Sequence, residues 1–403
     1  MSNRTDGRWT GAWGVAPEDG GAPFSDKTIR QIVHTGIGGT RARIRISNAF
    51  GAAPLTVRDV HIARSGAGSA IVPGTDAVLT FAGSTSVTIP AGESATSDPV
   101  AFAVPTLANV TVSFHLPNAT GASTCHHQGT QTNYIAAGDV SGAAELPDAL
   151  TTGSYFFLTN LDVLDPASRG TLVTLGASIT DGYASTQNAN TRWPDNLAAR
   201  LVGAGARVGV VNAGIGGNRL LVDGSGQSAV NRFERDVLGQ PGVRWVIFSD
   251  DPINDLGSTI PQPTAAELIA GIRTLIAMAH RNGIAFICST LTPYQGADYW
   301  NPAGEAARQA VNAWIRAGDG GCGGNADGVV DQDAATRDPA NPTAFLPAYD
   351  TGDHLHPNDA GHRAIANAVD LSTLTTAARG PRSPELSEPS EARGGLPSIG
   401  RKG

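Results

Sequence analysis

The stretch Thr171-Leu-Val-Thr-Leu-Gly-Ala-Ser-Ile-Thr-Asp-Gly182 changes character at its middle. Leu172 to Leu175 is an apolar run of strand length that stops at Gly176, and Ser178 follows in a polar turn closed by Gly182. Open α/β sheets hold ligands on the rim just beyond the carboxyl ends of their strands. A serine on that rim is placed for chemistry, although Gly-x-Ser is also a common loop sequence. It acquires a role only if a base, a carboxylate and oxyanion donors occupy neighbouring strand ends.

Downstream the same texture repeats. Strands are predicted at 172–175, 208–211, 245–248, 284–289 and 328–330, with helical patterns between them. Thr264 and Glu267 form a T-x-x-E capping box, and Leu268, Ile272, Leu275, Ile276 and Ala279 follow as one apolar stripe. Ala307, Val311, Trp314 and Ile315 mark another helix, and Pro194 suits the first turn of one carrying Leu197 and Leu201. Repeated βα units predict a parallel sheet covered by helices on both faces, an α/β domain over residues 170–377.

Upstream, residues 8–148 read as all-β. Arginines alternate with apolar residues in Arg41-Ala-Arg-Ile-Arg-Ile-Ser47, a period-two strand whose arginine face is expected in solvent. In Asn109-Val-Thr-Val-Ser-Phe-His-Leu116, Val110, Val112, Phe114 and Leu116 share one side. Short strands between Gly, Pro, Asn and Ser clusters predict an antiparallel sandwich. Residues 149–169 read as a connecting segment, with Tyr155 to Leu158 packing between the domains. The tail 378–403, rich in Pro, Ser, Gly and charge, is expected to be disordered.

A chain of 403 residues is long enough for two cores, and its net charge of −8 disfavours nucleic acid or anionic membrane as partner. No stretch is long enough to span a bilayer, and the amino terminus lacks an apolar signal core. The expected location is cytoplasmic as written, or secreted if a signal peptide has been removed. Cys125, Cys288 and Cys322 cannot form a disulfide framework, since any pairing leaves one over; Cys288 is expected in the core.

Four loops at carboxyl-terminal strand ends carry reactive side chains. They hold Ser178; Asn212-Ala-Gly-Ile-Gly-Gly-Asn218; Ser249-Asp-Asp-Pro-Ile-Asn-Asp255; and Asp353-His-Leu-His-Pro357. Acyl transfer needs a nucleophile, a base oriented by a carboxylate, and preorganised oxyanion donors. The blocks Gly176-Ala-Ser-Ile-Thr-Asp-Gly182, Val211-Asn-Ala-Gly-Ile-Gly-Gly217, Ile253-Asn-Asp255 and Asp353-x-x-His-Pro357 resemble, in order, those of the SGNH, or GDSL-like, hydrolase superfamily.

The resemblance implies a flavodoxin-like α/β/α three-layer parallel sheet preceded by an all-β sandwich domain. It also implies a serine esterase acting on a small-molecule or glycan ester, without metal or organic cofactor. By position, Ser178 is the nucleophile, His356 the base and Asp353 its orienting carboxylate. Ser178 N–H, Gly217 N–H and the Asn254 amide form the oxyanion hole; Gly214 competes with Gly217, and His354 with His356. Trp9-Thr-Gly-Ala-Trp-Gly-Val-Ala-Pro17 and the segment Gln31 to Gly51 resemble the β-sandwich of two-domain bacterial members. Short acyl esters are the expected substrates. The alternatives are a carbohydrate O-acetylesterase acting on acetylated polysaccharide and a non-catalytic binding protein on a hydrolase scaffold.

Two positions depart from the family pattern. Ala177 stands where the family has an aspartate, so the turn must be held another way. Pro252 precedes Ile253-Asn254, fixing φ and removing an N–H, and the run from Trp245 is one residue longer than usual. An Asn254 aimed wrongly would cost about 3 kcal/mol of transition-state stabilisation. Of the remaining candidates, Cys125-His-His127 reads as a loop, and Asp327, Asp331, Asp333 and Asp338 as solvated acids. Trp193, Tyr294 and Trp300 are candidates for lining a substrate groove.

Overall fold

A computed structural model describes residues 9–375. Gly170–Gly176 (β1), Val208–Gly214 (β2), Val243–Phe248 (β3), Ala285–Ser289 (β4) and Gly328–Val330 (β5) form a parallel sheet in the order β2-β1-β3-β4-β5. This is the flavodoxin-like order, and its reversal places the carboxyl end of β1 between those of β2 and β3. All of β1 is buried, as expected of a strand covered by helices on both faces. The capping box at Thr264 forms, and the five apolar residues of helix Ala265–Arg281 are buried. Pro194 lies in the first turn of helix Trp193–Gly203, whose Leu197 and Leu201 are buried.

The amino-terminal region is a set of antiparallel sheets around its own core. One sheet orders Trp9–Gly14, Leu158–Leu164, Arg41–Ser47 and Ser94–Thr96; a larger one is centred on Lys27–Thr35, Ala108–Leu116 and Leu55–Arg64. Ile44, Ile46, Leu161 and Val163 of the first pack with Ile29, Val33, Val57, Val110, Val112 and Phe114 of the second.

Residues 149–169 are not a simple connection. Leu150–Thr152 extends the larger sheet, Tyr155 and Phe156 lie in the sandwich core, and Leu158–Leu164 is the second strand of the smaller sheet. Both faces of Leu158–Leu164 are buried. Leu158, Leu161 and Val163 enter the core, while Asn160 donates from Nδ2 to Gln240 Oε1 at 2.6 Å on the other side. The arginine strand likewise faces more than solvent. Arg43 pairs with buried Asp162 at 3.0 Å, and Arg45 donates to the Gly239 carbonyl at 3.0 Å.

The two regions meet backbone to side chain. A Cβ at Gly11 would lie 2.6 Å from Val211 Cγ2, and one at Gly14 would lie 2.9 Å from Val211 Cγ1. Glycine at 11 and 14 therefore lets the first strand close onto β2. Gly11 N–H also donates to Thr171 Oγ1 at 2.9 Å.

Cys288 is buried, as expected, and forms a disulfide with Cys322, leaving Cys125 free. The acids expected in solvent instead hold arginines and backbone. Asp333 is buried and pairs with Arg308 at 2.8 Å and Arg316 at 2.6 Å; Asp327 accepts from Phe286 N–H at 2.9 Å. The tail 378–403 lies outside the described residues. Among the described residues, no helix is long and apolar enough to cross a membrane.

Candidate active site

Strand β1 ends at Gly176, and Ser178 opens the short helix Ser178–Asp181. Its Oγ lies 2.8 Å from His356 Nε2, and His356 Nδ1 lies 2.6 Å from Asp353 Oδ2. The three residues assigned as nucleophile, base and carboxylate thus form one hydrogen-bonded chain. Asp353 also accepts from the N–H groups of Leu355 and His356 at 3.0 and 2.9 Å, and from Thr351 Oγ1 at 3.0 Å. Partial burial works against its charge, but the His356 ring and these backbone donors outweigh it and hold the carboxyl at about 2. His354 is committed elsewhere, with its Nδ1 at 2.6 Å from Asp350 Oδ2.

The carboxylate missing at position 177 is supplied from another strand. Asp250, just past β3, accepts from Ile179 N–H at 2.8 Å and from Thr180 Oγ1 at 2.5 Å. A Cβ at Gly176 would come within 2.5 Å of Asp250 Oδ1, so glycine there admits the carboxylate to the turn.

The oxyanion candidates converge beside Ser178. Gly217 has φ +73° and lines the same cavity as Ser178 and Asn254. Gly214 is displaced from that role because its N–H donates to Asn212 Oδ1 at 2.9 Å. Asn254 sits in helix Asp251–Ser258, where Pro252 falls in the first turn. Helix N–H groups there have no intrahelical acceptor, so proline fits without losing a bond and gives no reason for Asn254 to be misaimed. Instead the amide is held on both sides: Tyr299 OH donates to Oδ1 at 3.1 Å, and Nδ2 donates to the Asn218 carbonyl at 2.8 Å. Burial pushes the Tyr299 phenol up, so it stays a donor. Next door, Asp255 accepts from Leu220 and Leu221 N–H, tying the glycine loop to this helix.

A buried guanidinium gathers these loops from beneath. Arg232, fully enclosed, donates to the carbonyls of Gly176 at 3.0 Å and Ala213 at 2.6 Å and to Asn218 Oδ1 at 3.1 Å. Asp236 and Asp251 lie 3.3 and 3.5 Å away. Burial raises Asp251 to about 7, against the pull of Arg232.

The first domain also reaches this centre. Cys125-His-His127 is not a loop throughout, because strand Ser123–His126 includes its first two residues. His126, buried, places Nε2 3.0 Å from Asp181 Oδ1, and Asp181 Oδ2 accepts from Gly216 N–H at 3.1 Å. Burial alone would lower the His126 imidazole, but Asp181 and Glu18 overcome it and raise the group to about 9. His126 is therefore protonated in the native state and neutral in the unfolded state between pH 6.5 and 9. Its contribution is complete below 6.5 and is lost as pH rises to 9, about 3 kcal/mol in all. Urea midpoints measured at pH 6.5, 7.5 and 9 are expected to fall along this limb in the wild type and to lose most of the dependence in His126→Gln, where Asp251 still contributes to the fall near pH 7; a flat wild-type profile would refute the assignment.

The cavity over Ser178 measures about 590 Å³. Trp193 and Tyr294 are buried in the core, and Trp300 packs against it, so none of the three predicted aromatics lines the cavity. Tyr183 and Tyr299 do, and Tyr183 lies against the His356 ring at a centroid distance of 4.3 Å. The group among the described residues with metal-ligand spacing is Asp59, His115 and Asp139 in the first domain, none of which lines the cavity.

Residues 172–369 match the model of a family described as GDSL-like Lipase/Acylhydrolase. Solved structures similar to the chain include an α/β hydrolase enzyme from the metagenome of Lake Arreo, at 24% identity and TM-score 0.39, covering 52% of this chain and 96% of that one. An acetyl xylan esterase from Geobacillus stearothermophilus shows 22% identity and TM-score 0.38 over 51% and 95% of the two chains. A carbohydrate acetylesterase from Sinorhizobium meliloti shows 15% identity and TM-score 0.38 over 49% and 95%. A comparison with curated proteins gave no match.

Proposed function

Because this chain belongs, through residues 172–369, to the GDSL-like lipase/acylhydrolase family of carboxylic ester hydrolases, we propose that it cleaves short-acyl esters through an acyl-enzyme on Ser178. The observation that carries this reading is the unbroken chain from Ser178 Oγ through His356 to Asp353, at 2.8 and 2.6 Å. In the first half-reaction Ser178 Oγ attacks the ester carbonyl while His356 Nε2 accepts its proton. Asp353 keeps the other ring nitrogen protonated and offsets the imidazolium charge. The carbonyl oxygen, now an oxyanion, receives the N–H groups of Ser178 and Gly217 and the side-chain amide of Asn254. His356 then returns the proton to the departing alcohol. Water repeats the sequence on the acyl-enzyme, releasing the acid.

The test is covalent. A fluorophosphonate probe is expected to label Ser178 stoichiometrically, with protection by substrate, and initial rates over p-nitrophenyl esters are expected to peak at short acyl chains. Absence of labelling at Ser178 would favour the binding-protein alternative. A rate maximum at long chains would remove the short-acyl assignment while leaving the chemistry intact.

A further inference from the structure

We propose that the first domain builds a subsite in the Ser178 cavity for a neutral, hydroxyl-rich part of the ester, of sugar-ring size; this rests on the esterase reading above. The cavity is shared between the domains: Glu18, Asp19, His127 and Gln128 face Ser178, Tyr183 and the glycine loop across it. Its volume of about 590 Å³ is far more than an acetyl group fills and suits a ligand with a ring or two beyond the scissile bond.

The wall is fixed in place. His126 is bonded to Asp181, and Glu18 Oε1 accepts from His127 N–H at 2.9 Å, so residues 18 and 127 are held by buried contacts. Those contacts engage Glu18 through Oε1 and, with Gly216 N–H, Asp181 through both oxygens. Asp19, by contrast, is exposed, and among the described residues its carboxylate makes no ion pair. The Gln128 amide has no protein hydrogen-bond partner among the described residues, and its Oε1 lies 3.6 Å from where a Cβ of Gly216 would stand. A free carboxylate and a free amide offer acceptors and a donor to vicinal hydroxyls. Tyr183, 45% exposed and seated against His356, presents an aromatic face beside them.

Charge narrows the class further. Among the described residues no lysine or arginine lines the cavity, while Asp19 makes no ion pair, so an anionic ester meets repulsion without a counter-cation. A neutral polyol meets none.

The test compares two acetates, an acetylated xylo-oligosaccharide and p-nitrophenyl acetate, in the wild type, Asp19→Ala and Gln128→Ala. The ratio of kcat/KM for the sugar ester to that for the aryl ester is expected to fall at least about tenfold in each variant. A second pair, p-acetoxybenzoate and its methyl ester, reads charge. The wild type is expected to prefer the neutral ester by about tenfold or more, and Asp19→Arg to narrow that preference. Proportionate losses on both acetates in both variants, or no preference between the charged and neutral aryl esters, would overturn the proposal. Failure of the esterase reading has a different signature: no turnover of p-nitrophenyl acetate by the wild type. Calorimetric titration with the xylo-oligosaccharide then still reads the subsite. Binding weakened by Gln128→Ala supports it, and binding that the substitution leaves unchanged overturns it.

Discussion

Ser178→Ala is expected to lower kcat for p-nitrophenyl acetate by about 10⁵–10⁶-fold with little change in KM. The Oγ removed is the atom that His356 Nε2 faces at 2.8 Å, and the substitution leaves the imidazole and Asp353 in place with nothing to activate. Asp250 still holds the turn through Ile179 N–H and Thr180 Oγ1, so the loss is chemical and not conformational. In the proposed mechanism nucleophile and base act as a unit, so His356→Ala is expected to lose nearly as much, and the double variant scarcely more than either. The residual rate, about 10³–10⁴ above water, would come from the oxyanion donors and binding alone. Kinetics of the three variants, each with an unchanged unfolding transition, check the point. Independent losses that multiply in the double variant would mean that Ser178 and His356 do not share a step.

Asp353→Asn is expected to lower kcat by about 10⁴-fold, by a different route. Asp353 accepts from four donors at once: the His356 ring, the N–H groups of Leu355 and His356, and Thr351 Oγ1. An asparagine keeps one acceptor oxygen, which the two backbone N–H groups claim, and turns its NH₂ toward His356 Nδ1. A donor there selects the tautomer with the proton on Nε2, where it cannot accept from Ser178. The carboxylate is already ionised far below neutrality, at about 2, so acidification should not reproduce the effect until well below pH 4. A pH–rate profile of the two proteins, measured alongside binding of a non-hydrolysable analogue, checks this. A variant that binds normally and turns over within tenfold of wild type would show that Asp353 only supports the loop.

The hydrolase sheet was readable because its signals are local. An apolar run, a glycine break and a helix period lie close together along the βα units; Ser178 and Asn254 follow strand ends directly, while His356 lies just before helix Asp359–Asn367. Their partners were harder to read. Asp250 reaches back to Ile179 across a separation of 71 residues, and His126 reaches forward 55 residues to Asp181. Neither contact has a periodicity, and only the strand order brings them together. Arg232 carries no sequence motif, and its enclosure follows from the helix that packs it beneath the carbonyls of Gly176 and Ala213. Residues 158–164 read as part of a connecting segment, whereas they form a strand whose Asn160 meets Gln240 and whose Asp162 meets Arg43, partners distant in sequence. Pro252 raised a concern that helix geometry removes, since the position it occupies has no bond to lose.

The paired glycines at 11 and 14 bear on how far the two halves can be altered independently. A side chain at either position would strike Val211, so the first strand and β2 have to change in concert. An amino-terminal region that merely accompanied an esterase could be shuffled onto other partners, tolerating drift at its seam. This one carries its seam in residues with no room for a methyl group, while its His127 and Gln128 line the cavity that holds Ser178. Such a boundary leaves little freedom to exchange one half without refitting the other, because the backbone of the first strand lies directly on the Val211 side chain.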